Sequence, residues 1–278
     1  MVLKRKMKKK FYIIFHCLLF MSLCSGCSNL LQESAVTQQS APAGSKVTTT
    51  KEAVDYLVNG VEDLDTTVQL YVDSDNINAN EITNAISRKI NYAKKDYDLC
   101  NVKGCTMQTY RADNYSEITI TLRYYMSLEQ AEYVDKTVKE LAPALKGADN
   151  VETYKNIFEW ICTNVTYDFD TAAGEAERFS AYNALKEKKA VCYGYAALYQ
   201  KFCDELGLDC MVLTSMDDSA HAWNVVTIRE QYYHVDTTFG AGDPEKGVLW
   251  DYFLCGQDRI QYGNAYGIKL AKKSYSLK

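Results

Sequence analysis

Residues 190–239 read AVCYGYAALYQKFCDELGLDCMVLTSMDDSAHAWNVVTIREQYYHVDTTF, and this stretch decides the fold. Cys192 stands where a helix should begin. Tyr195, Leu198, Tyr199, Phe202 and Leu206 then fall on one face of that helix, and Gly207 is its stop signal. Three strand candidates follow: CMVLTSM, HAWNVVTI and YYHVDTTF. Their short connections predict an antiparallel meander. A helix followed by such a sheet is an α+β arrangement.

The same stretch carries, in order, a thiol, an imidazole and a carboxylate: Cys192, His221 and Asp236. That set suits a nucleophile, a base and an orienting acid. A thiol at a helix start faces the positive end of the macrodipole and unpaired backbone N–H groups, which favour thiolate and can stabilise an oxyanion. Gly194 would let backbone or substrate approach closely. Beyond the basic leader at residues 1–26, only His221 and His234 remain as candidate bases. His234 shares a strand face with Tyr232 and Asp236, whereas His221 begins its strand beside a turn. Spacing alone leaves the choice open, and Asp236 would serve equally as a strand-end cap.

Working outward, Ser180 opens a short helix, AYNALKEK, ahead of Cys192. Asp149 with Glu152 caps VETYKNIFEWICTNV, and Ser127 with Gln130 forms a capping box for LEQAEYVDKTVKEL, which Pro143 should end or kink. TYDFDTAAGEAERF reads as an irregular surface loop. Further upstream, Thr49 with Glu52 caps a helix over KEAVDYLVN that Gly60 should end. A strand near 66–72, a helix marked by Ile82, Ile86 and Ile90, and strands CTMQTYRA and SEITITLRYYM complete a β-α-β-β segment. Residues 49–127 are thus expected to form a small accessory α+β domain, and 128–278 the domain bearing the site.

The chain begins MVLKRKMKKK, then FYIIFHCLLFMSL, then CSGC: a basic region, a short apolar run and small residues. This is the pattern of a secretory signal over residues 1–26, and the run is too short for a comfortable membrane span. Residues 27–48 are polar and read as a flexible tether. Without residues 1–26 the chain keeps 25 basic against 36 acidic residues, a net of −11. Such a charge argues against nucleic acid as a partner. Of ten cysteines, Cys100, Cys105, Cys162, Cys192, Cys203, Cys210 and Cys255 lie beyond residue 27. The odd count fits one free reactive thiol with others paired or buried, and Cys100 with Cys105 is a candidate local disulfide. No cysteine or histidine spacing matches a zinc site, and no metal or other cofactor is expected.

VCYGYA, HAWNVV and YYHVDTTF together resemble the transglutaminase-like superfamily, and IFEWICTNVTYD and WDYFL fit its flanks. The resemblance covers about residues 150–256. It implies a papain-like core with thioester chemistry, in which Cys192 matches the nucleophile, His221 the base and Asp236 the orienting acid. His234 matches a position before the acid without a catalytic role. Tyr193, Gly194, Trp223 and Asn224 match positions that bind substrate or support the site, and Phe239 stands where the family often has Trp. Members include peptidases, amidases, cross-linking transferases and inactive binding modules. A cysteine peptidase or amidase acting on peptide or protein amides is the favoured expectation; a cross-linking transglutaminase and a non-catalytic surface module are the alternatives. CSGC resembles the lipobox of bacterial lipoproteins, which implies diacylglyceryl modification at Cys27 and anchoring on the outer face of a membrane.

Overall fold

The computed structural model describes residues 46–73, 77–91, 95–112, 114–170, 175–215, 221–242, 247–259 and 268–276. Residues 1–26, expected to be a signal, Cys27 and most of the expected tether lie outside the described residues. Those described belong to one unit within Ala41–Lys278.

Alternating apolar residues build the first sheet. Strand β1 (Lys46–Val47) leads into helix α1 (Thr50–Glu62), whose N-cap Thr49 accepts from the Glu52 N–H. Strands β2 (Thr67–Asp73), β3 (Val102–Arg111) and β4 (Tyr115–Tyr124) follow, with helix α2 (Ala79–Asn91) and the short α3 (Tyr97–Cys100) between β2 and β3. The sheet order is β1-β2-β4-β3. Val68, Leu70, Val72, Ile118, Ile120 and Leu122 point inward and pack with Ile82, Ile86 and Ile90 of α2 and Leu57 of α1. Gly60 does not end α1. It sits within the helix, where a Cβ would come 2.6 Å from the Val68 Cγ2, so its role is close packing of helix on strand.

A second core begins with α4 (Leu128–Leu145), opened by the reciprocal Ser127/Gln130 capping box, and α5 (Asn150–Asn164), capped by Asp149. Pro143 is accommodated in the last turn of α4. Beyond α5, the stretch expected to be a surface loop contains strand β5 (Thr166–Tyr167) and helix α6 (Glu175–Arg178), followed by α7 (Ala181–Lys186) and β6 (Lys189–Ala190). β5 pairs with β6 in parallel, Tyr167 opposite Ala190. The central helix α8 (Cys192–Glu205) is buried from Cys192 to Cys203. It ends in a Schellman motif: Gly207, at φ 68°, donates to the Asp204 carbonyl, and the Leu208 N–H to that of Cys203.

Strands β7 (Cys210–Thr214), β8 (Ala222–Ile228) and β9 (Gln231–Val235) form the antiparallel meander, in the order β7-β8-β9. The third strand is shorter than its sequence promises. It stops at Val235, and Asp236 caps a new helix, α9 (Thr237–Ala241), because its side chain accepts from the Phe239 N–H. All seven described cysteines are free thiols, Cys100 and Cys105 included. Among the described residues no helix is long and apolar enough to cross a membrane.

Candidate active site

Cys192 is the first residue of α8, with Val191 as N-cap. Backbone bonds fix the residues just ahead of it: the Asp168 N–H donates to the Ala190 carbonyl at 2.8 Å, and the Val191 N–H to that of Arg178 at 3.0 Å. Cys192 is 8 % exposed.

His221 arrives at the start of β8. Its N–H donates to Ser215 Oγ and its carbonyl accepts from the Ser215 N–H, both at 2.8 Å, so the backbone is held from two sides. The imidazole Nε2 meets Asp236 Oδ2 at 2.7 Å. The ring also hydrogen-bonds Cys192. The ring lies nearly parallel to Phe239, 4.6 Å away, and to Trp223, 5.8 Å away. Burial works against a charged imidazole here. The bonds to Asp236 and Cys192 and their charges outweigh it, raising His221 to about 9.

Asp236 is fully buried. Its Oδ1 accepts from the Phe239 N–H at 3.0 Å while Oδ2 holds the imidazole. The helix cap and the imidazole contact, alternatives from the sequence, are made by the two oxygens of one carboxylate here. Its own N–H donates to the Tyr252 carbonyl at 3.0 Å, and its carbonyl accepts from the Gly240 N–H at 2.9 Å.

The second histidine is placed differently. Nδ1 of His234 accepts the Trp223 indole N–H at 2.7 Å. Burial lowers its pKa to about 4, against a small upward pull from Asp236, so it is neutral near pH 7. Trp223 thus supports the site from within, 2 % exposed. Asn224 is fully buried and donates to the Ala196 carbonyl at 3.0 Å, tying β8 to α8. Tyr193 packs against the stacked Tyr125 and Phe179 rings. At Gly194 it is the backbone that approaches: an added Cβ would meet the Ser180 carbonyl at 2.9 Å and that of Arg178 at 3.1 Å. All four residues make internal, supporting contacts.

Sequence reasoning missed the Asp168–Arg178 pair. Arg178 Nε donates to Asp168 Oδ2 at 3.1 Å and Lys189 Nζ reaches Oδ1 at 3.1 Å. Burial opposes the Asp168 charge, but the Asp170 N–H and the two cations outweigh it and hold the carboxyl below its ordinary range. No periodicity links two residues ten apart across an irregular segment. Phe239 was visible only as a substitution in a motif, yet its ring covers the imidazole. Among the described residues, no group of three or more His, Cys, Asp or Glu is arranged to hold a metal ion.

Residues 139–237, which include the thiol, imidazole and carboxylate just described, match the model of the transglutaminase-like superfamily. The segment is a transglutaminase-like core. It is similar to the human kyphoscoliosis peptidase, at 31 % identity over 108 residues that cover 34 % of this chain and 16 % of that protein. It is also similar to the UPF0252 protein MJ1282 of Methanocaldococcus jannaschii, at 35 % identity over 125 residues, 40 % of this chain and 34 % of that one. The chain therefore spans about a sixth and a third of these two relatives. A solved TGase structure overlaps 69 % of this chain and 58 % of its own, with a TM-score of 0.36 and 13 % identity, and adds nothing to the assignment. The transglutaminase-like core fits the α+β arrangement of helices α4–α8 and the β7-β8-β9 meander.

Proposed function

We propose that this chain is a cysteine acyl-transfer enzyme that hydrolyses peptide or protein amides through Cys192, His221 and Asp236. One observation carries the reading: a single imidazole bonds Asp236 at 2.7 Å through Nε2 and also meets Cys192. A module that only binds has no use for that arrangement. The name of the human relative, a peptidase, agrees with it.

The steps follow from the geometry. His221 takes the Cys192 proton, and the sulfur attacks the substrate carbonyl beside the imidazolium so formed. The imidazolium gives its proton to the leaving amine, and the acyl group stays on sulfur as a thioester. Neutral His221 then takes a proton from water, which attacks the thioester and releases the acid. Asp236 fixes the tautomer and orientation of the ring throughout. The Phe239 and Trp223 rings limit its rotation. Water is the default acceptor, which favours hydrolysis over cross-linking.

The reading extends to location: an extracytoplasmic domain tethered through a diacylated Cys27 on a bacterial surface, with peptide or protein substrates and no nucleic acid. Cys27→Ser should leave the precursor unprocessed or released, with the fold intact. An unmodified Cys27 in the mature membrane-bound protein would refute the anchor.

The catalytic claim is tested by iodoacetamide alkylation with mapping of the modified residue, alongside single-turnover acylation. Cys192 should react far faster than Cys203 or Cys162, whose thiols burial pushes up. Equal rates would remove the nucleophile. Amine incorporation in place of hydrolysis would turn the assignment to cross-linking.

A further inference from the structure

Asp168 and Arg178 take no part in the steps above, yet their side chains are only 4 % and 11 % exposed. A buried ion pair is a poor stabiliser by itself, because removing two charges from water costs about what their attraction returns. Its placement beside Cys192 points to another role. Arg178 holds Asp168 twice, through Nε on Oδ2 and through Nη2 on the backbone carbonyl at 2.6 Å. The backbones of the same two residues grip the chain just ahead of the thiol. Asp168 N–H binds the Ala190 carbonyl, and the Arg178 carbonyl binds the Val191 N–H. Gly194, lacking a Cβ, lets the first turn of α8 press against the Arg178 and Ser180 carbonyls.

We infer that Asp168 and Arg178 are positioning residues: their ion pair locks β5 to α6, and the paired backbone bonds then fix Ala190 and Val191, which sets where Cys192 presents its sulfur to His221. The inference rests on the Cys192–His221 reading given above. A merely structural pair would affect stability alone. A positioning pair would also govern thiol reactivity, because a hydrogen-bonded reacting pair is sensitive to displacements well under an ångström.

The test compares Asp168→Asn and Arg178→Lys with Ile86→Ala, a truncation in the other core that lowers stability without touching this segment. Three quantities are read: melting temperature, the rate of Cys192 alkylation against pH, and amide exchange over residues 190–195. Both variants should slow alkylation near neutral pH by about ten- to a hundred-fold, change the shape of its pH profile and speed exchange at Val191. Ile86→Ala should do none of these at a similar melting temperature. Should Asp168→Asn not fold, Arg178→Lys carries the comparison, since it keeps the charge and loses the fork. Rates that fall no further than those of Ile86→Ala, or unchanged exchange over 190–195, overturn the inference. If wild-type Cys192 itself proves unreactive, the proposed function fails, and amide exchange still decides whether the pair holds the helix start.

Discussion

Trp223 donates its indole N–H to His234 Nδ1 at 2.7 Å, and that bond divides the work between two histidines thirteen residues apart. His234 is committed as an acceptor in the core. His221 is the one left facing a thiol and a carboxylate.

His221→Ala should therefore lower single-turnover acylation by about a thousand-fold or more. His234→Ala should cost roughly 1–2 kcal/mol of stability and leave acylation in the folded protein within a few-fold of wild type. The reverse ranking would move the base to β9.

The two histidines also predict opposite pH behaviour. His221 is raised to about 9, so its charged form contributes stability that is complete below about pH 6.5 and lost as pH rises through about 9. His234 is lowered to about 4, so stability is lost as pH falls from about 6.5 through about 4. A depression of this size corresponds to ~3 kcal/mol at full effect. Melting temperature against pH should fall on both sides of a maximum near neutrality, and His234→Gln should flatten the acid side only.

Acylation that needs His221 as imidazolium should fail above about pH 9. Asp236→Asn removes the carboxylate charge that raises the ring, so the alkaline limb should move to lower pH as well as drop in height. A limb that stays near pH 9 in Asp236→Asn would mean that another group sets it.

The β8–β9 turn offers a stability test away from the site. Arg229 and Glu230 sit at φ 50° and 63°, a left-handed pair that ordinarily calls for Asn-Gly. Each carries a strain of about 1–2 kcal/mol. Arg229→Asn with Glu230→Gly should stabilise by about 1 kcal/mol and leave alkylation of Cys192 unchanged.

Much of the site is legible in the sequence because its signals are local. Cys192 precedes an unbroken apolar helix face, and His221 heads an apolar strand. Their convergence is not local: it depends on Ser215 pinning His221 and on Asp236 leaving β9. The alternation of Tyr232, His234 and Asp236 suggests one shared face, and it fails at the last residue because a short carboxylate captures the Phe239 N–H and starts a helix. Gly60 misleads for a related reason. Sequence marks glycine as a helix stop, whereas the demand here comes from Val68, eight residues on and in another element. The Asp168–Arg178 pair leaves no pattern at all, since neither residue belongs to a periodic run.

Four contacts converge on Asp236: imidazole, Phe239 amide, Tyr252 carbonyl and Gly240 amide. A side chain one methylene longer cannot keep both oxygens on their partners while the backbone stays put. Asn keeps the shape and sacrifices the charge; Glu keeps the charge and sacrifices the shape. The exchange that looks gentlest by formal chemistry is therefore the harsher one for folding, so tolerance at this position should run opposite to similarity of functional group.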